Sequence, residues 1–281
     1  MGGKSAMRID AHQHFWKFDP VRDAWIMPEM QTIRRDFYPE DLKPILDRHH
    51  IHGSVAVQAD QSEAETRFLL DLAENNSFIK GVVGWIDLRS PDLEERLGGY
   101  AGRTLLKGFR HIVQGETDPA FMNHPDFLRG VKLLHRYGYT YDILIYQHQL
   151  PMAIEFVKNC PEQPLVLDHI AKPLIRNGDW RNWALGIRSL ASFPSVMCKV
   201  SGMVTEANWH HWTPEQFRIY LEVVTEAFGP GRLMYGSDWP VCLLAASYEQ
   251  QLNILERFFS SLSADEQAAI VGLNAVRFYN L

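Results

Sequence analysis

Eight short runs of apolar, aromatic and β-branched residues recur along the chain, and their spacing narrows the fold more than any other feature. They begin near Arg8, Gly53, Lys80, Leu106, Tyr141, Pro164, Val196 and Arg232, a mean interval of 32 residues. That interval suits a strand plus a helix; a hairpin would bring the next strand within a few residues. The runs show little polar alternation, as expected of parallel strands buried on both faces.

Helical patterns fill the gaps. Pro39, Glu40 and Asp41 open one helix, with Leu42, Ile45 and Leu46 inward, and Phe127, Val131 and Leu134 mark another. Thr213 is expected to cap a third, with Pro214 in its first turn. Its Phe217, Leu221, Val224 and Phe228 share a face before Gly229 and Pro230 stop it. Leu252, Leu255 and Phe259 follow the eighth run, and Ser263 with Glu266 forms a capping box that opens an extra helix. Eight such units predict an α/β fold, a distorted (β/α)8 TIM barrel, as a single domain over residues 1–281. A doubly wound sheet is the alternative, but no glycine-rich dinucleotide loop follows the first run and no P-loop occurs. Residues 15–38 and 202–213 read as long loops after strands one and seven, on the face where barrel active sites are built.

Composition excludes several classes. With 46% hydrophobic and 22% charged residues, the chain is no disordered segment. Its net charge of −6 and lack of a basic patch argue against nucleic acid. No apolar run approaches the ~18 residues of a membrane helix, and residues 1–8 lack a signal-peptide core. Residues 1–7 read as a ragged or expression-derived start. Cys160, Cys198 and Cys242 are odd in number and far apart, which fits reduced, buried thiols in a cytoplasmic protein.

Polar residues at the ends of the runs carry the chemistry. His12 and His14 are two apart in a strand, so both rings face the same side and can share a metal or a substrate; otherwise they are two structural histidines. His169 ends the sixth run beside Asp168, and Asp238 ends the eighth. Barrel closure would bring Asp238 against His12 and His14 as base or ligand, although an aspartate before a turn also caps loops. Arg110 and His111 end the fourth run; the guanidinium can clamp a carbonyl or carboxylate. His148, Lys172 and Lys199 are further candidate substrate contacts. Trp16, Trp25, Trp209, Trp212 and Trp239 lie in or near the mouth loops and can wall a pocket for a ring-shaped ligand.

The segments around His12 and His14, Gly108 to His111, Asp168 to Pro173, Lys199 to Gly202 and Gly236 to Pro240 together resemble the motif set of the amidohydrolase superfamily. The resemblance is to its lactonase branch and spans nearly the whole chain. It implies hydrolysis of a small-molecule lactone, with Asp238 activating water. His12, His14 and His169 would bind metal or polarise the carbonyl, and Arg110 would hold the substrate. His111, His148, Lys172, Trp25 and Trp239 are the expected substrate contacts. The fifth run has no lysine and Lys107 lies too early in the fourth, so a bridged two-metal site is not expected; a single Zn²⁺ on His12, His14, His169 and Asp238 is allowed but not required. The tryptophans favour a sugar-acid lactone, such as that of fucose or rhamnose, over a pyrone dicarboxylate, which would need more cations. A metal-dependent decarboxylase of the same superfamily and a non-catalytic ligand-binding barrel are the alternatives. A homo-oligomer through exposed aromatics is also compatible with the sequence.

Overall fold

All eight expected strands form, and in chain order: β1 (Ile9–Gln13), β2 (Gly53–Val57), β3 (Ile79–Gly84), β4 (Leu106–Ile112), β5 (Thr140–Leu144), β6 (Leu165–Leu167), β7 (Val196–Val200) and β8 (Leu233–Tyr235). The computed structural model describes residues 7–281, so the reading of residues 1–6 as a ragged start lies outside the described residues. Each strand pairs in parallel with the next. The seam between β8 and β1 is short: the Asp238 N–H donates to the His12 carbonyl (2.9 Å) and the His14 N–H to that of Trp239 (2.7 Å). The result is a distorted (β/α)8 barrel whose closing contact sets Asp238 beside the two strand-one histidines.

Helices follow the strands on the outside. Pro39–Arg48 begins where the Asp41 carboxylate accepts the Tyr38 N–H at 2.9 Å. Pro125–Arg136 buries Phe127, Val131 and Leu134. Glu215–Phe228 buries the four expected apolar residues and ends at Gly229, at φ 68°. Thr213 does not cap it: the chain enters through Pro214 with no side-chain cap. The Ser263–Glu266 capping box opens Ala264–Ala268 as expected. The three cysteines are free and buried.

The barrel interior has two layers. The lower one is apolar: Ile9, Ala11, Val55, Val57, Val83, Val166, Met197 and Met234, plugged from below by Tyr279 of the C-terminal helix Asn274–Tyr279. The upper one is ionic. Lys199 is fully buried, with its ammonium 2.5 Å from Asp142 and 3.1 Å from Asp168. Arg110 meets Asp168 at 3.0 Å, and the Tyr279 hydroxyl reaches up to Asp142 at 2.8 Å. Burying charges is costly unless they are paired and hydrogen-bonded; here each has partners, and the layer forms the platform under the site.

Candidate active site

A break in register between Asp10 and Gln13 sets the phase of the first strand. Ile9 and Ala11 face the apolar interior, and the bulge turns His12 inward directly after Ala11. Alternation then points Gln13 out, where its amide donates to Ser54 Oγ at 3.1 Å, and His14 in. His14 Nδ1 lies 2.7 Å from the Val57 carbonyl. A carbonyl can only accept, so Nδ1 carries the proton and Nε2 presents a lone pair. That lone pair lies 3.2 Å from His12 Nε2 and 3.3 Å from Asp238 Oδ1.

His169 and Asp238 complete the floor. His169 Nδ1 is 2.8 Å from Ser201 Oγ, and its Nε2 is 3.8 Å from Asp238 Oδ1. His169, Ile170, Ala171 and Lys172 all have positive φ, between 44° and 60°. Each non-glycine residue in this region costs about 1–2 kcal/mol, and such strain concentrates at functional sites. The turn ends β6 and throws both His169 and Lys172 toward the mouth. Gly202, at φ 63°, packs against it: a Cβ there would lie 2.7 Å from His169 Nδ1.

The electrostatics follow from burial and neighbours. Burial pushes the His12 imidazole well below its usual pKa, and the charges of Lys199 and Arg110 push it further. Burial does the same to His169. Both rings are therefore neutral at pH 7. Burial alone would raise the Asp238 carboxyl, but His169, His14 and Lys172 more than offset it and hold it at about 2. Lys172 is raised: Glu206 and Asp238 outweigh its desolvation.

Three imidazole nitrogens and one carboxylate oxygen thus converge, an arrangement that can hold a cation or proton among them. The His12–His14 separation and the distances from the three rings to Asp238 Oδ1 run from 3.2 to 4.0 Å, near the ~3.3 Å edge of a tetrahedron with metal–ligand bonds of about 2.0–2.1 Å. The donor set fits one divalent metal. It also has an organic cation, since Arg110 Nη1 lies 3.2 Å from His12 Nε2. His12, Asp168 and His169 form a second candidate cluster, but both Asp168 oxygens already face Arg110 and Lys199. Lys107 bridges nothing here; it donates to the Asn280 carbonyl.

Above this floor opens a pocket of about 510 Å³, lined by Trp16, Trp25, Met27, Tyr146 and Trp209 on its apolar side and by Arg110, Lys172 and Glu206 among its polar groups. The expected contacts divide. Trp25 and Lys172 line the pocket. His111 does not: alternation turns it away from Arg110, and its ring stacks on Phe121 while Nε2 meets Glu116 at 2.7 Å. His148 is exposed and stacks on Tyr146. Trp239 is buried between Phe15 and Phe37. Lys199 lies beneath the pocket, in the ionic layer. Trp212 lines a neighbouring surface groove. Sequence reasoning missed Asp142, Ser201, Glu206 and Tyr279. Asp142 left a signal, a carboxylate inside an otherwise apolar strand, and Ser201 lies within the Lys199 to Gly202 motif.

Comparison with known proteins places this geometry. A family model described as Amidohydrolase matches residues 9–281. An L-fucono-1,5-lactonase of Burkholderia multivorans is 43% identical over 98% of this chain and 97% of its own length. An L-fucono-1,5-lactonase of Burkholderia ambifaria is 35% identical over 98% of this chain and 96% of its own. The crystal structure of an amidohydrolase from Burkholderia multivorans with bound zinc superposes with a TM-score of 0.95 at 44% identity, over 98% of this chain and 100% of that one.

Proposed function

The chain belongs to the amidohydrolase family, and from that premise we propose that it is a lactonase that opens a deoxy-sugar lactone, L-fucono-1,5-lactone, to the free acid. Full-length similarity to two lactonases of that substrate supports the choice of ligand. The observation that carries the chemistry is a pair of unsatisfied atoms at the pocket floor. Asp238 Oδ2 and Arg110 Nε are buried without a partner, one a free acceptor and the other a free donor. An attacking water and a lactone carbonyl supply what each lacks.

In this mechanism Asp238 accepts the proton of a water that attacks the ring carbonyl. Arg110 faces the developing oxyanion, and a donor of this kind is worth about 3–4 kcal/mol. Protonated Asp238 then returns its proton to the leaving ring oxygen. A carboxylate with a pKa of about 2 is a weak base: complete proton transfer from free water, pKa about 15.7, would cost roughly 19 kcal/mol. The proton therefore moves in concert with attack, and the oxyanion donors carry much of the barrier reduction. His12 and His169, being neutral, orient and accept. Where a divalent metal is bound, His12, His14, His169 and Asp238 would hold it, zinc suiting this set, and it would polarise the carbonyl and lower the pKa of water toward about 7.

The pocket's cations argue against a pyrone dicarboxylate. Arg110 is engaged by Asp168 and Lys172 by Glu206, which leaves no free cation for two carboxylates among the described lining residues. Among the described residues no helix is long and apolar enough to cross a membrane, and three buried free thiols support a cytoplasmic setting.

The test is a pH-indicator assay on sugar 1,4- and 1,5-lactones, with and without chelator. Acid release from L-fucono-1,5-lactone is expected, falling about 10²–10⁴-fold in Asp238→Asn while the variant stays folded. Carbon dioxide release in place of lactone opening would support the decarboxylase reading. Near-normal turnover by Asp238→Asn would remove its role.

A further inference from the structure

The mouth of the pocket holds a feature that the hydrolytic step does not use. Lys172 and Glu206 form an ion pair at 3.0 Å, with both side chains less than one-fifth exposed, and both line the pocket. They come from different loops. Lys172 closes the left-handed turn after β6, its N–H donating to the His169 carbonyl at 2.8 Å. Glu206 ends the short helix Met203–Glu206 after β7. In a turn of three residues, positions i and i+3 eclipse, so Lys172 stands one turn from His169, on the same side. The strained turn thus delivers two groups to one wall, the imidazole at the floor and the ammonium nearer the mouth.

Two other polar groups of the pocket are already engaged. Arg110 is held by Asp168, Gln58 and His12, and Thr205 Oγ1 donates to the Gly202 carbonyl. The paired ammonium and carboxylate present donors and acceptors side by side, at a spacing close to that of the two oxygens of a vicinal diol. Each ring hydroxyl is at once donor and acceptor, so one such pair can bind two adjacent hydroxyls while neither charge loses its partner. The tryptophans of the pocket offer apolar faces to the rest of the ring.

We infer that the Lys172–Glu206 pair reads two vicinal hydroxyls of the lactone and sets the preference for polyhydroxylated rings; this rests on the lactonase reading above. The pair is a specificity device, separate from the water-activating step.

The experiment compares kcat/KM for L-fucono-1,5-lactone with that for δ-valerolactone, which has the same ring and no hydroxyls. Wild type is expected to prefer the sugar lactone. In Glu206→Gln and Lys172→Met the ratio of the two values is expected to fall about 10- to 150-fold, the effect of losing hydrogen bonds to a charged group. Ring-deoxy sugar lactones, tested on wild type alone, give the same answer without a variant: removing either hydroxyl of the bound pair should cost a similar factor. Equal losses on both substrates in the variants would make Lys172 an electrophile for the carbonyl and overturn the inference. So would variants whose kcat/KM is unchanged on both substrates, the mark of a solvated rim pair. Wild type that opens both lactones without preference refutes the pair's role and leaves lactone opening intact; wild type that opens neither refutes both.

Discussion

Gly202→Ala tests how tightly the floor is held. An alanine Cβ at this position would lie 2.7 Å from His169 Nδ1, 2.8 Å from Cγ and 3.0 Å from Cβ. Ordinary contact needs about 3.4 Å or more, so the ring must retreat by several tenths of an ångström. Retreat lengthens the 2.8 Å contact with Ser201 Oγ and draws Nε2 from its place opposite Asp238. Alanine also pays about 1–2 kcal/mol to keep the left-handed backbone, and a further ~1–2 kcal/mol for the clash, in the lower part of the usual overpacking range, brings the total to roughly 2–4 kcal/mol. At about 2 °C per kcal/mol for a domain of this size, the melting temperature should drop by about 4–8 °C, leaving the protein folded at 25 °C. Displacing one catalytic group by a fraction of an ångström is expected to cut kcat by about 10²-fold. The assay is lactone opening at saturating substrate, with thermal melting by circular dichroism alongside. A variant with normal kcat and a lowered melting temperature would refute the claim that His169 must sit where Gly202 leaves room for it.

Two further perturbations follow from the buried charges. Tyr279→Phe removes the hydroxyl that donates to Asp142; since Asp142 holds Lys199 and Lys199 touches His12 Nδ1 at 3.1 Å, kcat per folded molecule is expected to fall with KM little changed, and a normal kcat per folded molecule with a lowered melting temperature would show that the plug acts through general stability instead. Glu65 is buried and its carboxyl is pushed up to about 7, above its unfolded value, so folding favours its protonated form; that stability is full below pH 4.5 and about 3 kcal/mol is lost as the pH rises through 7. Glu65→Gln should therefore gain melting temperature relative to wild type between pH 4.5 and pH 8, and a difference constant across that range would show that Glu65 does not titrate there.

The strands were legible because parallel barrel strands are short, apolar and evenly spaced, and each of these is a local property. His12, His14, His169 and Asp238 were legible because strand ends in a barrel converge on one face. The limits were of two kinds. His111 is adjacent to Arg110 in β4, so alternation alone forbids both from facing inward; this was available in the sequence. His148 and Trp239 also sit just past strand ends, but in turns whose side-chain directions no periodicity encodes. The ionic layer is different again. Asp142 pairs with residues 57 and 137 positions away, and a lysine near a strand end reads as solvated until its partners are placed. The left-handed turn at 169–172 contains no glycine or asparagine to announce it.

The layers together explain why Asp238 stays the reactive group. Beneath the site, Asp142 and Asp168 are matched by Lys199 and Arg110, so the platform is close to neutral as a unit. Lys199 and Arg110 also flank His12, and a ring approached by two cations gains nothing from a proton. His169 Nδ1 lies against Ser201 Oγ and His14 Nδ1 against the Val57 carbonyl, so both rings turn Nε2 toward Asp238. At the mouth, Lys172 is matched by Glu206. The Asp238 carboxylate is held ionised by His169, His14 and Lys172, yet its Oδ2 is buried with no hydrogen bond. A low-dielectric site makes such an unpaired atom costly. Whatever enters is therefore selected for what it brings to that oxygen: a cation, a proton, or a water whose proton is about to be shared. Because its neighbours hold the Asp238 carboxyl at about 2, below its ordinary value, folding favours the ionised form above about pH 4; Asp238→Asn should therefore lose turnover and some thermal stability near pH 7, and a raised melting temperature would refute this.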